Sequence, residues 1–314
     1  MPPTSYAILG TGALGGFYGA RLERAGNPVH FLLRSDYEHV RRHGLRVESK
    51  DGDFHLPRVR AFRDVADMPP CDVAVVTWKA TQNHLLPALL PQVLKPDGVV
   101  LVLQNGLGGE AAAARATPGH RVFGGLCFIC SNRVGPGHIR HLDYGSVRMG
   151  EFAADGRPVG IADTLRGIGA DFQRAGIEVG LMEDLPLARW EKLVWNIPFN
   201  GLSVVLDADT SALIADPDAL ALVEGLMAEV VRGAAACGRT IPADFIGRML
   251  KMTREMTPYR ASMKIDYDEK RPMEVEAIHG APLRAAAAAG VDLPLLRALY
   301  YQLKFLGSRM GAAS

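Results

Sequence analysis

Short apolar runs alternate with amphipathic stretches along the first half of the chain. Continuous apolar runs predict strands that a parallel sheet buries on both faces, at residues 6–9, 29–33, 72–77 and 99–103. Between them, apolar positions recur at helical spacing in residues 14–25 and 82–94. Strands that alternate with helices in this way predict a doubly wound α/β domain built on a parallel sheet.

The pattern changes near Asp184. Beyond this residue the β-rich runs stop, and long helical patterns cover residues 187–200, 219–237 and 281–289. A chain of 314 residues is also long enough for two domains. We therefore predict a doubly wound domain over residues 1–183 and an all-α domain over residues 184–314.

A glycine-rich turn separates the first strand from the first helix. It consists of Gly10, Thr11, Gly12, Ala13, Leu14 and Gly15, a G-x-G-x-x-G pattern in the context that dinucleotide binding requires. Gly10 permits the tight turn, Gly12 lets the backbone approach a pyrophosphate, and Gly15 lets the helix pack close to the strand. The diphosphate would lie at the helix N-terminus, where free N–H groups favour negative charge. The turn predicts a Rossmann-type domain with a dinucleotide held by these six residues.

The residue after the second strand indicates which dinucleotide binds. An NAD enzyme carries Asp or Glu there to bind the ribose 2′-hydroxyl, whereas this chain has Arg34. A guanidinium pairs with a 2′-phosphate that a carboxylate would repel. NADPH is therefore favoured over NADH, the alternative being that Arg34 is a solvated surface residue.

Composition excludes several classes of partner. The chain has 35 Lys and Arg residues against 34 Asp and Glu, a net charge of +1, with both signs scattered. No basic stripe suits nucleic acid, and no polybasic segment suits a membrane surface. No apolar run approaches the roughly 18 residues of a membrane-spanning helix, and the first residues lack the features of a signal peptide. We expect a cytoplasmic protein that binds a small molecule.

Four cysteines are too few for a disulfide scaffold in so long a chain. Cys127 and Cys130 have C-x-x-C spacing, but a thioredoxin-type dithiol needs its first Cys at a helix N-terminus, and residues 122–131 are β-rich. Residues three apart on a strand point to opposite faces, so ordinary buried thiols are expected. No H-E-x-x-H and no second cysteine pair completes a metal site, and no metal is expected.

Four further segments follow the glycine turn in a characteristic order and spacing: residues 76–82, 104–108, 190–200 and 262–274. Together with the turn, they resemble the ketopantoate reductase (2-dehydropantoate 2-reductase) family nearly end to end. The resemblance implies that NADPH reduces the 2-oxo group of ketopantoate to give (R)-pantoate, a step toward pantothenate and coenzyme A. It also implies that a helical domain closes a cleft over the 2-oxo acid, and it leaves the oligomeric state open, a homodimer included.

The resemblance also assigns roles to individual residues. It implies that Lys192 is the general acid and that Glu274 and Asn105 act beside it. Further residues implied by the resemblance bind the substrate or the cofactor: Asn196, Asn200 and Ser262 the substrate, and Arg34, Lys79 and Asn105 the cofactor.

The chemistry of these residues can be assessed without the family. Hydride addition to a ketone builds negative charge on its oxygen, so a reductase needs a proton donor or cation within about 3 Å of that atom. Lys192, Asn196 and Asn200 are spaced i, i+4 and i+8, which places them on one face of a helix. The alternative is a polar outer face with the lysine in solvent.

Other candidates have structural alternatives as well. Glu274 follows Pro272 and is expected in the first turn of a helix. There it would accept a hydrogen bond from a substrate hydroxyl, or it would simply stabilise the helix through its dipole. Ser262 would donate to a substrate carboxylate or serve as a cap. Asp266 and Arg271 are expected to form an ion pair.

The sequence departs from the family pattern at several positions. Members often have Asn-Pro where this chain has Asn200 and Gly201, and Pro198 is expected to kink the helix before Asn200. Thr210 replaces an expected cleft asparagine, and Met273 replaces a threonine. The changes at positions 210 and 273 motivate one alternative, a reductase of another branched 2-oxo acid. A second alternative is a non-catalytic NADP(H)-sensing protein, against which Lys192 and Glu274 speak, because a sensor needs no proton donor.

Overall fold

The computed structural model describes residues 3–256 and 260–311; residue 311 is described by its backbone alone. The described residues form two compact units. The first contains the chain up to Gln104 and Gly109–Leu185, and the second contains Asn105–Gly108 and the chain from Pro186 onward. The change of unit after Leu185 lies close to the change of sequence pattern at Asp184. The segment Asn105–Gly108, by contrast, falls in the range predicted for the first domain but belongs to the second unit.

The first unit is built on one sheet of ten strands. In chain order these are β1 (Tyr6–Leu9), β2 (Val29–Leu32), β3 (Leu45–Ser49), β4 (Phe54–Leu56), β5 (Arg60–Phe62), β6 (Cys71–Val76), β7 (Leu94–Val102), β8 (Val122–Gly135), β9 (His138–Glu151) and β10 (Val179–Met182). Their spatial order is β4-β3-β9-β8-β7-β6-β1-β2-β5, with β10 paired to β9. The pairs β3–β4 and β8–β9 are antiparallel, and the other pairs are parallel. The predicted doubly wound α/β fold is confirmed.

Helices cover both faces of this sheet. They are α1 (Ala13–Arg24), α2 (Tyr37–His43), α3 (Leu86–Val93), α4 (Gly109–Ala116) and α5 (Asp163–Arg174), with 3₁₀ turns at Val65–Asp67 and Ala80–Leu85. Strand β1 is completely buried: Tyr6 and Ile8 join one hydrophobic cluster, and Ala7 and Leu9 join another. This two-sided burial is the reason for the continuous apolar run in the sequence.

The helix predicted over residues 82–94 is shorter in the structure. The chain first forms a 3₁₀ turn, Ala80–Leu85, and α3 begins only at Leu86. Pro87 lies in the first turn of α3, where its missing N–H costs nothing, so this residue favours a helix start at this point. The prediction was therefore wrong about the first turn.

The second unit is all-α in the part of the chain that the structure describes. Its helices are α6 (Leu185–Val205), α7 (Thr210–Ala215), α8 (Pro217–Ala236), α9 (Phe245–Glu255), α10 (Ser262–Asp268), α11 (Ala281–Ala288) and α12 (Pro294–Gly311), with a π-helical turn at Glu276–Gly280. A separate hydrophobic core holds them together. Across residues 3–256 and 260–311, none of the helices is both long and apolar enough to span a membrane.

Helix α6 continues through Pro198, so the proline does not end the helix. Proline removes one backbone hydrogen bond from a helix, yet the assigned helix runs without interruption from Leu185 to Val205. The neighbouring Ile197 and Phe199 are completely buried. Tertiary packing of α6 therefore compensates for the local cost of the proline.

The two cysteines of the C-x-x-C motif both lie in β8 and are free, buried thiols, as predicted. The prediction assumed that side chains alternate regularly along the strand, which they do not. The pairing of β8 with β9 shifts between Phe128 and Ile129, so a bulge interrupts the alternation of side chains between Cys127 and Cys130. Among the described residues, no cluster of three or more His, Cys, Asp or Glu side chains has the geometry to hold a metal ion.

Candidate active site

The glycine turn lies at the point where the order of the strands reverses. Strand β1 pairs in parallel with β2 on one side and with β6 on the other. In doubly wound sheets, ligands bind beyond the carboxyl ends of the strands at this switch point. Gly10 follows β1 directly, and Lys79 lies three residues after β6. The sheet therefore brings the predicted cofactor residues to one edge.

Each glycine of the turn has a different structural reason. Gly10 has φ +104°, and a Cβ there would lie 2.5 Å from the Trp78 nitrogen. At Gly15 a Cβ would lie 2.4 Å from the Gly10 carbonyl oxygen, so only glycine permits the close contact between α1 and β1. A Cβ at Gly12 would meet no atom within 4 Å. The backbone at Gly12 is thus open to a ligand, and the turn fits a pyrophosphate.

Two threonines fix the turn. The Thr11 hydroxyl donates to the Leu32 carbonyl at 3.0 Å, and the Thr77 hydroxyl donates to the Gly10 carbonyl at 2.7 Å. Sequence reasoning assigned Thr11 to the turn but missed Thr77. The position of Thr77 in the sequence indicates this contact, because a hydroxyl directly after β6 lies beside the carboxyl end of the paired strand β1.

Arg34 is exposed just beyond β2 and donates from Nη1 to the Gln82 Oε1 at 3.2 Å. The nearest carboxylate in sequence, Asp36, is buried and bound elsewhere. It accepts from Arg133 Nη1 at 2.6 Å and from the Gly137 amide at 3.2 Å. Burial would raise the pKa of the Asp36 carboxyl, but these hydrogen bonds outweigh burial and hold the pKa below its usual value. The positive charge of Arg34 therefore remains available for a phosphate.

The ends of β6 and β7 are joined by side-chain amides that sequence reasoning missed. Gln104 Nε2 donates to the Trp78 carbonyl at 2.9 Å and to Asn83 Oδ1 at 2.7 Å. Asn83 Nδ2 donates back to Gln104 Oε1 at 3.1 Å. Lys79 lies inside the segment held in this way, at the start of the 3₁₀ turn. No local motif marks Asn83, because its role depends on a partner 21 residues away.

In the second unit, the structure brings Lys192 and Asn105 together. Lys192 Nζ donates to Asn105 Oδ1 at 2.9 Å. Asn105 belongs to a loop whose Leu107 amide donates to the Ala277 carbonyl at 2.9 Å. Gly106 has φ +81°, and a Cβ there would lie 2.2 Å from the Ala277 oxygen, so glycine is required at this contact.

The polar face predicted for α6 extends from Lys192 into the core. Asn196 is 5% exposed and Asn200 is 2% exposed. Asn200 Oδ1 accepts from the Ser262 hydroxyl at 3.2 Å and from the Met263 amide at 3.0 Å. These bonds satisfy the start of α10, so the Asn200 oxygen has a structural task and only its amide nitrogen can face a ligand. The side-chain amide of Asn196 makes no hydrogen bond with another described residue, so it is less constrained than the side chain of Asn200.

The remaining candidates have definite positions. Glu274 is buried and directly precedes the helical turn that begins at Val275, where the Ile278 amide donates to its carbonyl oxygen at 3.1 Å. The predicted ion pair is confirmed, since Arg271 Nε lies 3.1 Å from Asp266 Oδ1. Met273 packs into the hydrophobic core of the second unit.

Comparison with known proteins agrees with the resemblance. A family model described as "Ketopantoate reductase PanE/ApbA" matches residues 6–154, and the model of its C-terminal part matches residues 184–307. The chain belongs to the ketopantoate reductase family. The curated relatives include a 2-dehydropantoate 2-reductase of Nostoc sp. PCC 7120, which is 60% identical over 98% of this chain and 97% of its own. One from Halobacterium salinarum is 30% identical over 93% of this chain and 95% of its own.

Solved structures of the ketopantoate reductase family superpose closely. A 2-dehydropantoate 2-reductase from Geobacter metallireducens has a TM-score of 0.91 at 40% identity, covering 96% of this chain and 99% of its own. A ternary structure of D-mandelate dehydrogenase with NADH and anilino(oxo)acetate has a TM-score of 0.87 at 20% identity, covering 98% of this chain and 99% of its own, which shows a shared fold alone.

The open backbone at Gly12 makes a prediction about cofactor binding. Gly12→Ala should fold normally, because the added Cβ meets no protein atom, but should weaken NADPH binding about tenfold or more, because the methyl group occupies the approach of the pyrophosphate. Isothermal titration calorimetry measures the affinity and thermal unfolding the stability. Gly167→Ala, at an equally open glycine in α5, is the matched control. Unchanged NADPH affinity in Gly12→Ala would contradict this role.

Proposed function

We propose that this protein catalyses the NADPH-dependent reduction of ketopantoate to (R)-pantoate. The observation that carries the proposal is the hydrogen bond from Lys192 to Asn105, at the head of the buried polar face of α6. A surface lysine in solvent would not be held in this way, so the alternative of a polar outer face is not supported. Family membership and the 60% identical relative support the substrate.

The cofactor, when bound, supplies the hydride for C2 of the substrate. The residues of the first unit suit its binding: the glycine turn would hold the pyrophosphate, and Arg34 and Lys79 would hold the negative charge of its phosphate groups. The residues of the second unit suit the other half of the reaction, which is to stabilise and protonate the oxygen that becomes negatively charged.

Lys192 is the proton donor in this proposal. Its ammonium has three N–H donors, and one of them is held by the Asn105 oxygen. An amide oxygen orients the ammonium without carrying a full negative charge that competes with the alkoxide for the proton. The lysine therefore combines a fixed direction with a charge that attracts the developing alkoxide.

The substrate has a carboxylate and a hydroxyl to be recognised. The side-chain nitrogens of Asn196 and Asn200 supply donors for a carboxylate. The Ser262 hydroxyl donates its hydrogen to Asn200 Oδ1, so its role is to hold the Asn200 amide in place. Glu274 supplies an acceptor for the substrate hydroxyl. Since the four cysteines are free thiols, we also propose that the enzyme works in the reducing cytoplasm.

The direct test is steady-state oxidation of NADPH with ketopantoate and with a panel of other branched 2-oxo acids. We expect the highest kcat/KM for ketopantoate, with (R)-pantoate as product, identified by chiral chromatography. A higher kcat/KM for another 2-oxo acid would reassign the substrate. No turnover with any of them would support a cofactor-sensing role instead.

Arg34 is expected to select NADPH. Arg34→Ala should raise KM for NADPH about ten- to a hundredfold, because it removes a charge-assisted contact worth roughly 1.5 to 3 kcal/mol, and should leave KM for NADH nearly unchanged. Arg166→Ala removes an exposed arginine of α5 in the same unit and should alter neither constant. Equal use of both cofactors by the unmutated enzyme would refute the assignment.

Lys192 is expected to control kcat. Lys192→Ala should lower kcat by about 10² to 10⁴, the range of a positioned general acid, with little change in NADPH affinity, because the glycine turn and Arg34 belong to the other unit. The unmutated enzyme should also slow as pH rises, since the neutral amine has no proton to give. Lys251→Ala, on the exposed face of α9, is the control. A main defect in NADPH binding would make Lys192 a cofactor residue instead.

A further inference from the structure

The π-helical turn Glu276–Gly280 is bonded to both elements that carry the Lys192–Asn105 pair. Near its start, the Ala277 carbonyl accepts from Leu107 in the Asn105 loop at 2.9 Å. Near its end, His279 Nε2 lies 3.0 Å from the Ile197 carbonyl in α6, the helix that carries Lys192. Single π-helical turns frequently occur at functional sites.

His279 is an unusual residue for this position. It is completely buried, and burial lowers its pKa to about 4, so the imidazole is neutral at physiological pH. Because the Ile197 carbonyl can only accept, Nε2 carries the hydrogen. Nδ1 is then an acceptor, and it is buried without a hydrogen-bond partner among the described residues. An unsatisfied buried polar atom costs roughly 1 to 3 kcal/mol, so apolar packing alone would favour a hydrocarbon side chain here.

Helix α6 makes room for this imidazole. A Cβ at Gly201 would lie 2.8 Å from His279 Nε2 and 2.5 Å from a Leu299 methyl carbon. Glycine inside a helix costs about 0.5 to 1 kcal/mol relative to alanine. Gly201 therefore has a structural reason, which is the space that the imidazole and the Leu299 side chain occupy beside it.

Three hydrogen bonds close a ring through these elements. Lys192 bonds to Asn105, Leu107 bonds to Ala277, and His279 bonds to Ile197, which is five residues after Lys192 on the same helix. The backbone completes the ring between each pair of bonds. Breaking the bond at His279 frees the π-helical turn from α6, and the turn in turn holds the loop that carries Asn105.

We propose that His279 is a positioning residue for the reduction. Its N–H fixes the π-helical turn on α6 and thereby keeps the Asn105 oxygen against the Lys192 ammonium. The inference rests on the proposed role of Lys192 as proton donor. It concerns the transition state for proton transfer, so it predicts a larger effect on kcat than on NADPH affinity, to which Asn105 is also expected to contribute.

Substitutions at His279 separate the hydrogen bond from the volume. His279→Leu keeps much of the volume and removes the donor, and it should lower kcat about tenfold or more while NADPH affinity changes by less than kcat. His279→Gln restores an N–H at the end of the side chain and should recover most of the lost rate. His279→Asn keeps an amide too short to reach Ile197 and should resemble His279→Leu, which provides the comparison if the leucine variant fails to fold.

His120→Leu is the matched control. His120 Nδ1 also bonds a backbone carbonyl, that of Gly98, at 2.7 Å, but it lies in the first unit. This variant should lose some thermal stability and keep kcat. If His279→Leu keeps kcat within twofold, or if the glutamine variant is as slow as the asparagine variant, the proposal is overturned.

A second measurement does not depend on the substrate. Hydrogen–deuterium exchange of the peptide that contains Leu107 should be faster in His279→Leu than in the unmutated protein, because the Leu107 amide is held by Ala277. The same peptide should be unchanged in His120→Leu. Unchanged exchange in His279→Leu would refute the mechanical link even if activity fell. Faster exchange with an enzyme inactive on ketopantoate would keep the link and reject the proposed function.

Discussion

The hydrogen bond between Lys192 and Asn105 is the interaction on which the proposed chemistry depends. A lysine side chain has four rotatable bonds, so it becomes an effective proton donor only when a neighbour fixes its direction. That neighbour comes from a loop 87 positions earlier in the chain. The segment Asn105–Gly108 follows β7 of the sheet yet packs with the helical unit. Because these four residues pack with the helical unit, position 106 requires glycine, since any side chain there would collide with the Ala277 carbonyl.

The parts of the fold that sequence predicted best are those set by local rules. The buried strand β1 reads as a continuous apolar run because both of its faces are covered. The glycine turn and the polar face of α6 are fixed by spacing within a few residues of chain. The helical nature of the second unit follows from repeated periodicity. Each of these features needs no knowledge of distant residues.

The features that sequence missed depend on partners far along the chain. His279 and Ile197 are 82 positions apart, and Asp36 and Arg133 are 97 positions apart. No sequence pattern near Asn83 predicts its hydrogen bonds to Gln104. Pro198 shows the converse, since proline is locally unfavourable inside a helix, yet α6 continues through it with Ile197 and Phe199 completely buried. The bulge in β8 is similar, because a shift in pairing with β9 cannot be read from alternation within one strand.

The ion pair between the buried Asp36 carboxylate and the exposed Arg133 also limits how this protein can evolve or be engineered toward NADH. Many Rossmann enzymes recognise the ribose hydroxyls with an acid near the end of the second strand. Asp36 is close to that position in sequence, but its carboxylate is committed to Arg133 and the Gly137 amide. Releasing it would leave the Arg133 guanidinium and the buried Gly137 N–H without their acceptor. A change of cofactor preference therefore requires a new acid in place of Arg34, and cannot simply recruit the carboxylate that is already there.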